Sequence, residues 1–176
     1  MFRSTLSLTV FAGLLFGSLP GMAADEPAAT PKPGENFVSL QVTGCGDKCP
    51  EFEIYIFDTG RAQFRPNNSK NSTNAPFSKS GMGGIYKRVS KYLQDTGALT
   101  DPAECADKKA DAPYAVVQSS KDSQVQKATW SAGCSNQLEK ARSLVKVFVN
   151  QTGMWRNINS DSRYWEKYWE TWEQKK

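Results

Sequence analysis

Apolar and polar residues alternate over Phe37 to Val42. They do so again over Glu51 to Phe57, where Phe52, Ile54 and Ile56 fall on one side and Glu53, Tyr55 and Phe57 on the other. A period of two is the mark of a strand, so both segments are predicted strands. Asp58, Thr59 and Gly60 form a turn signal, and Arg61 to Arg65 offers a short return strand with Ala62 and Phe64 facing away from Gln63. A hairpin follows. From Pro66 to Gly84 the chain is dominated by Asn, Ser, Lys and Gly without an apolar period, which predicts a long surface loop pinned by Phe77 and Met82.

The period then becomes helical. Ile85, Val89, Tyr92 and Leu93, with Tyr86 beside them, predict a helix from about Gly84 to Asp95, with Gly97 placed to end it. Tyr114 to Gln118 and Gln124 to Trp130 are rich in strand-forming residues and are joined by a polar connection of hairpin length, Ser119 to Ser123. Ser135 is a candidate N-cap for a second helix over Leu138 to Val149, whose apolar stripe is Leu138, Ala141, Leu144 or Val145, and Phe148, ending near Gly153. Strands and helices in this order, without regular alternation, predict an α+β fold: a small antiparallel sheet of about five strands with two helices on one face. No internal repeat is visible.

The two ends of the chain are different in kind. Residues 1–23 combine a basic start at Arg3, an apolar core from Leu6 to Phe16, a breaker at Pro20 and small residues at Gly21 and Ala23. That is the layout of a secretory signal peptide with cleavage after Ala23 or one residue later, and its apolar core is too short to span a bilayer. No cysteine stands at the junction, so a lipid-anchored form is not expected. Residues 24–34, rich in Ala, Pro and acid, read as a flexible leader. Residues 35–157 are the predicted domain, of a size that encloses one modest core. Residues 158–176 form a tail.

In that tail Tyr164, Trp165, Tyr168, Trp169 and Trp172 recur at spacings of three, four and seven, so on a helix they share one broad face, with Glu166, Lys167, Glu170 and Glu173 around the rest. This predicts an aromatic C-terminal helix. Its rings either pack on the domain's own sheet or meet a partner, and Trp and Tyr suit surfaces that are half apolar and half wet. A groove on a protein or envelope partner fits better than a membrane surface, because the polar face carries as much acid as base.

Charge and composition narrow the chemistry. The formal net charge of +4 falls to about +3 without Arg3, and charges of both signs are interspersed, so no nucleic-acid footprint follows. The chain of 176 residues has no histidine, which removes Ser-His-Asp and Cys-His catalysis and nearly every catalytic zinc arrangement. Any enzyme would have to work through carboxylates, Lys, Tyr or thiols. Asp101, Glu104, Asp107 and Asp111 cluster before the fourth predicted strand, yet they lack the central glycine and terminal glutamate of a calcium loop and read as solvated charges. No cofactor and no metal is expected.

All four cysteines lie beyond the signal, and an even number in an oxidising compartment reads first as two disulfides. Cys45 and Cys49 stand with three residues between them, flanked by Gly44 and Pro50, a spacing that bridges across a tight turn, and Cys105 with Cys134 would close a loop of about 30 residues. Sequence allows three pairings. Two alternatives compete: a redox-active Cys45–Cys49 pair beside Lys48, although the redox motif has two intervening residues and opens a helix, and a four-thiolate zinc site, whose usual spacing is missing.

Phe37-Val38-Ser39-Leu40, Cys45-Gly46-Asp47-Lys48-Cys49-Pro50-Glu51-Phe52, Ile56, Gly60-Arg61, Asp111-Ala112-Pro113 and Gly133-Cys134 together resemble a bacterial exported family known as domain of unknown function 6438. The resemblance covers about residues 37–155, with Gly46 one position before the family's inner glycine and Phe52 where tyrosine is usual. It implies a compact cell-envelope α+β domain with paired cysteines, periplasmic or secreted, and brings no established activity. The sequence therefore predicts a non-enzymatic binding or interaction module whose partner is a protein or another envelope component. A thiol-disulfide protein using Cys45 and Cys49 is the rival, and a small-ligand carrier using the sheet face opposite the helices is the third reading.

Overall fold

The computed structural model describes residues 31–43, 51–66, 77–105, 107, 109 and 112–154. Within them six strands and two helices follow one another as β1 (Phe37–Thr43), β2 (Phe52–Phe57), β3 (Ala62–Pro66), β4 (Phe77–Lys79), α1 (Gly83–Asp95), β5 (Tyr114–Lys121), β6 (Gln124–Ser131) and α2 (Leu138–Thr152). All six strands join one antiparallel sheet in the order β4-β3-β2-β1-β5-β6. The α+β class is as the sequence predicts.

The strand count is not. The predicted loop between Pro66 and Gly84 contains β4, whose residues Phe77, Ser78 and Lys79 pair with Phe64, Gln63 and Ala62. Three residues are too few to show a period, so only the edge that β3 offers defines this strand. The sheet thus has six strands rather than five. The predicted aromatic C-terminal helix lies outside the described residues.

Register fixes two faces. Val38, Leu40 and Val42 of β1 stand opposite Ile56, Ile54 and Phe52 on one side and opposite Ser119, Val117 and Ala115 on the other. Apart from Ser119, these side chains, together with Ala62, Phe64 and Ala128, meet Val89 and Leu93 of α1 and Ala141, Leu144, Val145, Phe148 and Val149 of α2 in one core. Both helices use their apolar stripes here, as the sequence predicts. Ile85, Tyr86, Tyr92 and Leu138 pack at its margin.

The helices run antiparallel. Arg88 Nε donates to Gln151 Oε1 at 3.1 Å near one end, and Lys140 Nζ donates to the Thr96 carbonyl at 2.7 Å near the other. Gly97 ends α1 in a left-handed conformation, φ 62°, with Ala98 N donating to Leu93 O and Gly97 N to Gln94 O, the paired bonds of a Schellman cap. Gly153 closes α2 in the same conformation. α2 begins at Leu138 as the sequence predicts, but its cap differs: the N-cap is Gln137, not Ser135, and no side chain caps it. A turn whose Cys134 carbonyl accepts from both Gln137 N and Leu138 N precedes the helix, so Ser135 falls inside that turn.

At one end of the sheet the two hairpin turns meet. Asp58 N donates to Asn36 O at 3.1 Å, Asn36 Nδ2 to Asp58 Oδ2 at 2.9 Å, and Asp122 N to Asn36 Oδ1 at 2.9 Å. Asp122 and Ser123 both have positive φ, the geometry of a two-residue turn that matches strand twist. Gly60, φ 85°, lies where a Cβ would come within 3.0 Å of Gly83 N, and Met82 N donates to its carbonyl at 2.6 Å. That contact seats α1 on the β2–β3 turn. Because the helices are antiparallel, α2 finishes at this same end.

Candidate functional site

The alternate residues of each strand face away from the helices. On β2 these are Glu53, Tyr55 and Phe57, and across the ladder from them stand Gln41, Ser39 and Phe37 of β1. Gln63 and Arg65 continue the face on β3, Val116, Gln118 and Ser120 on β5, and Val125 and Lys127 on β6. None of Phe37, Tyr55 and Phe57 belongs to the main core.

Those three rings form a cluster of their own. Phe37 meets Tyr55 edge to face with centroids 5.6 Å apart, Phe37 and Phe57 lie 6.1 Å apart, and Tyr55 stacks on Phe57 at 6.3 Å. These separations lie in the favourable range for aromatic pairs. The Arg61 guanidinium sits 4.1 Å from the Phe57 centroid, and that of Arg65 lies 5.2 Å from the Tyr55 centroid, both within cation–π range. Carboxylates orient the cations: Arg61 Nη2 donates to Glu35 Oε1 at 2.8 Å, and Arg65 Nη1 lies 3.9 Å from Glu53 Oε2. Burial, reinforced by the neighbouring Glu53 carboxylate, raises the Tyr55 phenol above its ordinary value, with Arg65 pulling the other way. Gln63 is only 1% exposed although, among the described residues, both helices lie on the opposite face.

Beside the rings the leader edge makes a groove. Pro31, Pro33, Phe37, Tyr55, Gln118 and Val125 are among the residues that line a cavity of about 510 Å³. Val125, 59% exposed, is the one exposed large hydrophobic side chain among the described residues. Towards the middle of the sheet the surface dips by only about 30 Å³ between Ser39, Tyr55, Val116 and Lys127. The face is therefore a platform whose Phe37, Ser39, Phe57, Gln63 and Ser120 are buried and whose β6 side, at Val125 and Lys127, is exposed, with one deeper end at the groove.

The second locus is covalent. Cys105 and Cys134 form a disulfide with Cα atoms 5.6 Å apart, closing 29 residues and tying the connector between α1 and β5 to the turn before α2. One of the two predicted bridges is thereby present. Gln137, buried, adds a polar tie at the same junction: its Oε1 accepts from Ser131 N at 3.0 Å and its Nε2 donates to Ala103 O at 2.9 Å. Gly133 allows the connector to pass, since a Cβ there would come within 2.8 Å of Lys109 O. A cavity of about 270 Å³ opens beside the bridge, with Asp101, Glu104, Tyr114 and Gln137 in its wall.

The remaining predicted residues separate. Asp107 accepts a hydrogen bond from Ser135 N at 3.3 Å, and bonding from Ser135, side chain first and backbone second, holds its carboxyl below the ordinary value. Among the described residues no three Asp, Glu or Cys side chains converge as a metal site. Asp111, Cys45, Cys49 and the rings of Tyr164, Trp165, Tyr168, Trp169 and Trp172 lie outside the described residues. No described helix is long and apolar enough to cross a membrane. The residues that sequence reasoning passed over are Phe37, Arg61, Arg65 and Gln63; the available signal was the run Glu53-Tyr55-Phe57, whose outward side is aromatic where a solvated strand would be polar.

A scan against protein-family models finds no match, and a search of curated proteins finds no significant match. What the fold defines is an α+β domain with a six-stranded antiparallel sheet, both described helices on one face and a disulfide at their junction.

Proposed function

We propose that this chain is an exported, non-enzymatic interaction module that holds a polypeptide segment against the sheet face turned away from its helices. The observation that carries the reading is the cluster of Phe37, Tyr55 and Phe57, segregated from the core, capped by Arg61 and Arg65 and bordering the groove at Pro31 to Glu35. Aromatic and arginine side chains are the groups that dominate protein contact surfaces. The Cys105–Cys134 bridge fits an oxidising, exported environment, in keeping with the signal-like first 23 residues. Membership in the exported family of domain of unknown function 6438 is part of the same proposal.

The C-terminal rings Tyr164, Trp165, Tyr168, Trp169 and Trp172 are the second proposed contact surface, for a protein partner first and a membrane surface second. A small-ligand carrier is a second reading, favoured by a groove volume that falls within the range of small-molecule sites. The groove's open form and its polar members Lys32, Gln118 and Ser120 suit a peptide better. The thiol-disulfide reading rests on Cys45 and Cys49, and a bridge potential below about −300 mV in the purified protein would dismiss it.

The test is capture from envelope extract by the full mature chain and by the same chain carrying Tyr55→Ser and Val116→Lys. A specific protein partner lost by the variant supports the platform, and undiminished capture refutes it.

A further inference from the structure

From the sheet face turned away from the helices and the sequence that follows α2, we infer that the free protein covers its own platform with the aromatic C-terminal segment, Asp161 to Lys176. The inference deepens the proposed function by naming the first occupant of the binding face, and it rests on that face being a docking surface. Four observations lead to it.

The first is position. α2 ends at Thr152, beside the β2–β3 turn, and the Phe37, Tyr55 and Phe57 cluster begins at that same end of the sheet. Met154, wholly buried in the core, anchors the exit of the chain there. The second is reach. Residues 155–160, at about 3.3 Å each, span about 20 Å, enough to pass from the helix layer to the far side of the sheet at about 10 Å per layer.

The third is fit. Read as a helix, residues 161–176 are about 24 Å long, and a strand of seven residues such as β1 is about 23 Å, so one matches the other end to end. The segment's rings would meet a face on which Tyr55, Phe37, Val116 and Val125 stand among the charged residues Glu53, Arg65 and Lys127. Gln63, buried on that face, is in keeping with a covered platform. The fourth is burial. Phe57, Ser39 and Ser120 of that face are buried as well, although both described helices lie on the other side of the sheet. A partner then gains the platform, or the rings, by separating the two.

Hydroxyl-radical footprinting of the full mature chain tests this. Tyr55 and Val116 should be oxidised several-fold faster in a full-length variant carrying Y164S, W165S, Y168S, W169S and W172S than in the parent chain, while Tyr86 on the helix side is unchanged. Equal rates at Tyr55 and Val116, with β1 amide exchange protection intact in both chains, overturn the inference. Protection of the parent chain that disappears on dilution identifies a second copy as the occupant and overturns it too. Should the five-ring variant fail to fold, the parent tail is read against a changed face: Val116→Lys with Gln118→Lys should shift tryptophan emission to longer wavelength. Emission that does not move refutes the tail's contact with this face. None of these measurements needs a partner, so the inference can fail while partner capture stands, and the reverse.

Discussion

Replacing Gln137 by Ala removes a side chain that joins three segments at once. Its carboxamide accepts from the buried Ser131 N at the end of β6 and donates to Ala103 O in the connector, from the residue that immediately precedes α2. The Ser131 amide, left buried without its acceptor, is destabilising by about 1–3 kcal/mol, and the half-buried Ala103 bond contributes about 0.5–1.5 kcal/mol more. A total loss of about 2–4 kcal/mol follows, or a fall in Tm of about 8–15 °C for a domain of this size. Urea unfolding followed by tryptophan fluorescence reads the loss as a shift in midpoint at constant m. Gln137→Met, of similar volume but without the amide, isolates the hydrogen bonds from the packing. If Gln137→Met is as stable as the parent while Gln137→Ala is not, the cavity and not the polar tie carries the effect, and the reasoning fails. Because the disulfide fastens the same connector, Gln137→Ala combined with Cys105→Ser and Cys134→Ser should depart from additivity by about 0.5–3 kcal/mol.

Removal of the Cys105–Cys134 bridge by paired serine substitution should lower stability by about 3.5 kcal/mol, the loop-closure value for the 29-residue separation, and an unchanged urea midpoint would contradict that role. Gly34→Ala and Gly60→Ala share a positive φ, but an added Cβ meets nothing within 4 Å at Gly34 and lies 3.0 Å from Gly83 N at Gly60. The Gly60 variant should therefore be the less stable of the two by about 1–3 kcal/mol in thermal unfolding, and equal losses would remove the steric argument. Asp107, with its folded-state pKa depressed, stabilises the fold above the carboxylate's unfolded value and loses that contribution as pH falls through the folded one, so Asp107→Asn should flatten the acid limb of the stability curve. Tyr55 is raised instead: its contribution is complete below the unfolded phenol value of about 10 and declines as pH rises through the folded value, so Tyr55→Phe should flatten the alkaline limb in pH-dependent urea unfolding.

Where local pattern decided the structure, the sequence was legible. The alternation of Phe52, Ile54 and Ile56 against Glu53, Tyr55 and Phe57, the helical spacing of Val89 and Leu93, and the stops at Gly97 and Gly153 all recur in the fold. Ser135 misled as a cap because an N-cap preference is a local tendency, and the bridge at Cys134 and the amide of Gln137 hold that turn in place, leaving Gln137 as the cap. β4 escaped notice because Phe77, Ser78 and Lys79 become a strand only against β3.

The candidate site divides in the same way. Arg61, Arg65 and Phe37 are unremarkable in sequence, and they become a platform because antiparallel register sets Phe37 beside Phe57 and because the turn at Gly60 returns Arg61 over that ring. The sequence by itself determined the elements, the apolar side of each and the even set of cysteines, since these depend on periodicity and turn chemistry within a few residues. Only the tertiary structure decided that β1, first of the described strands, is paired on both sides, by β2 and by β5, and which face the described helices leave to the aromatic cluster. Strand order arises from pairings between residues distant in sequence, for example Leu40 with Val117, and no local pattern encodes which distant edge a strand will meet.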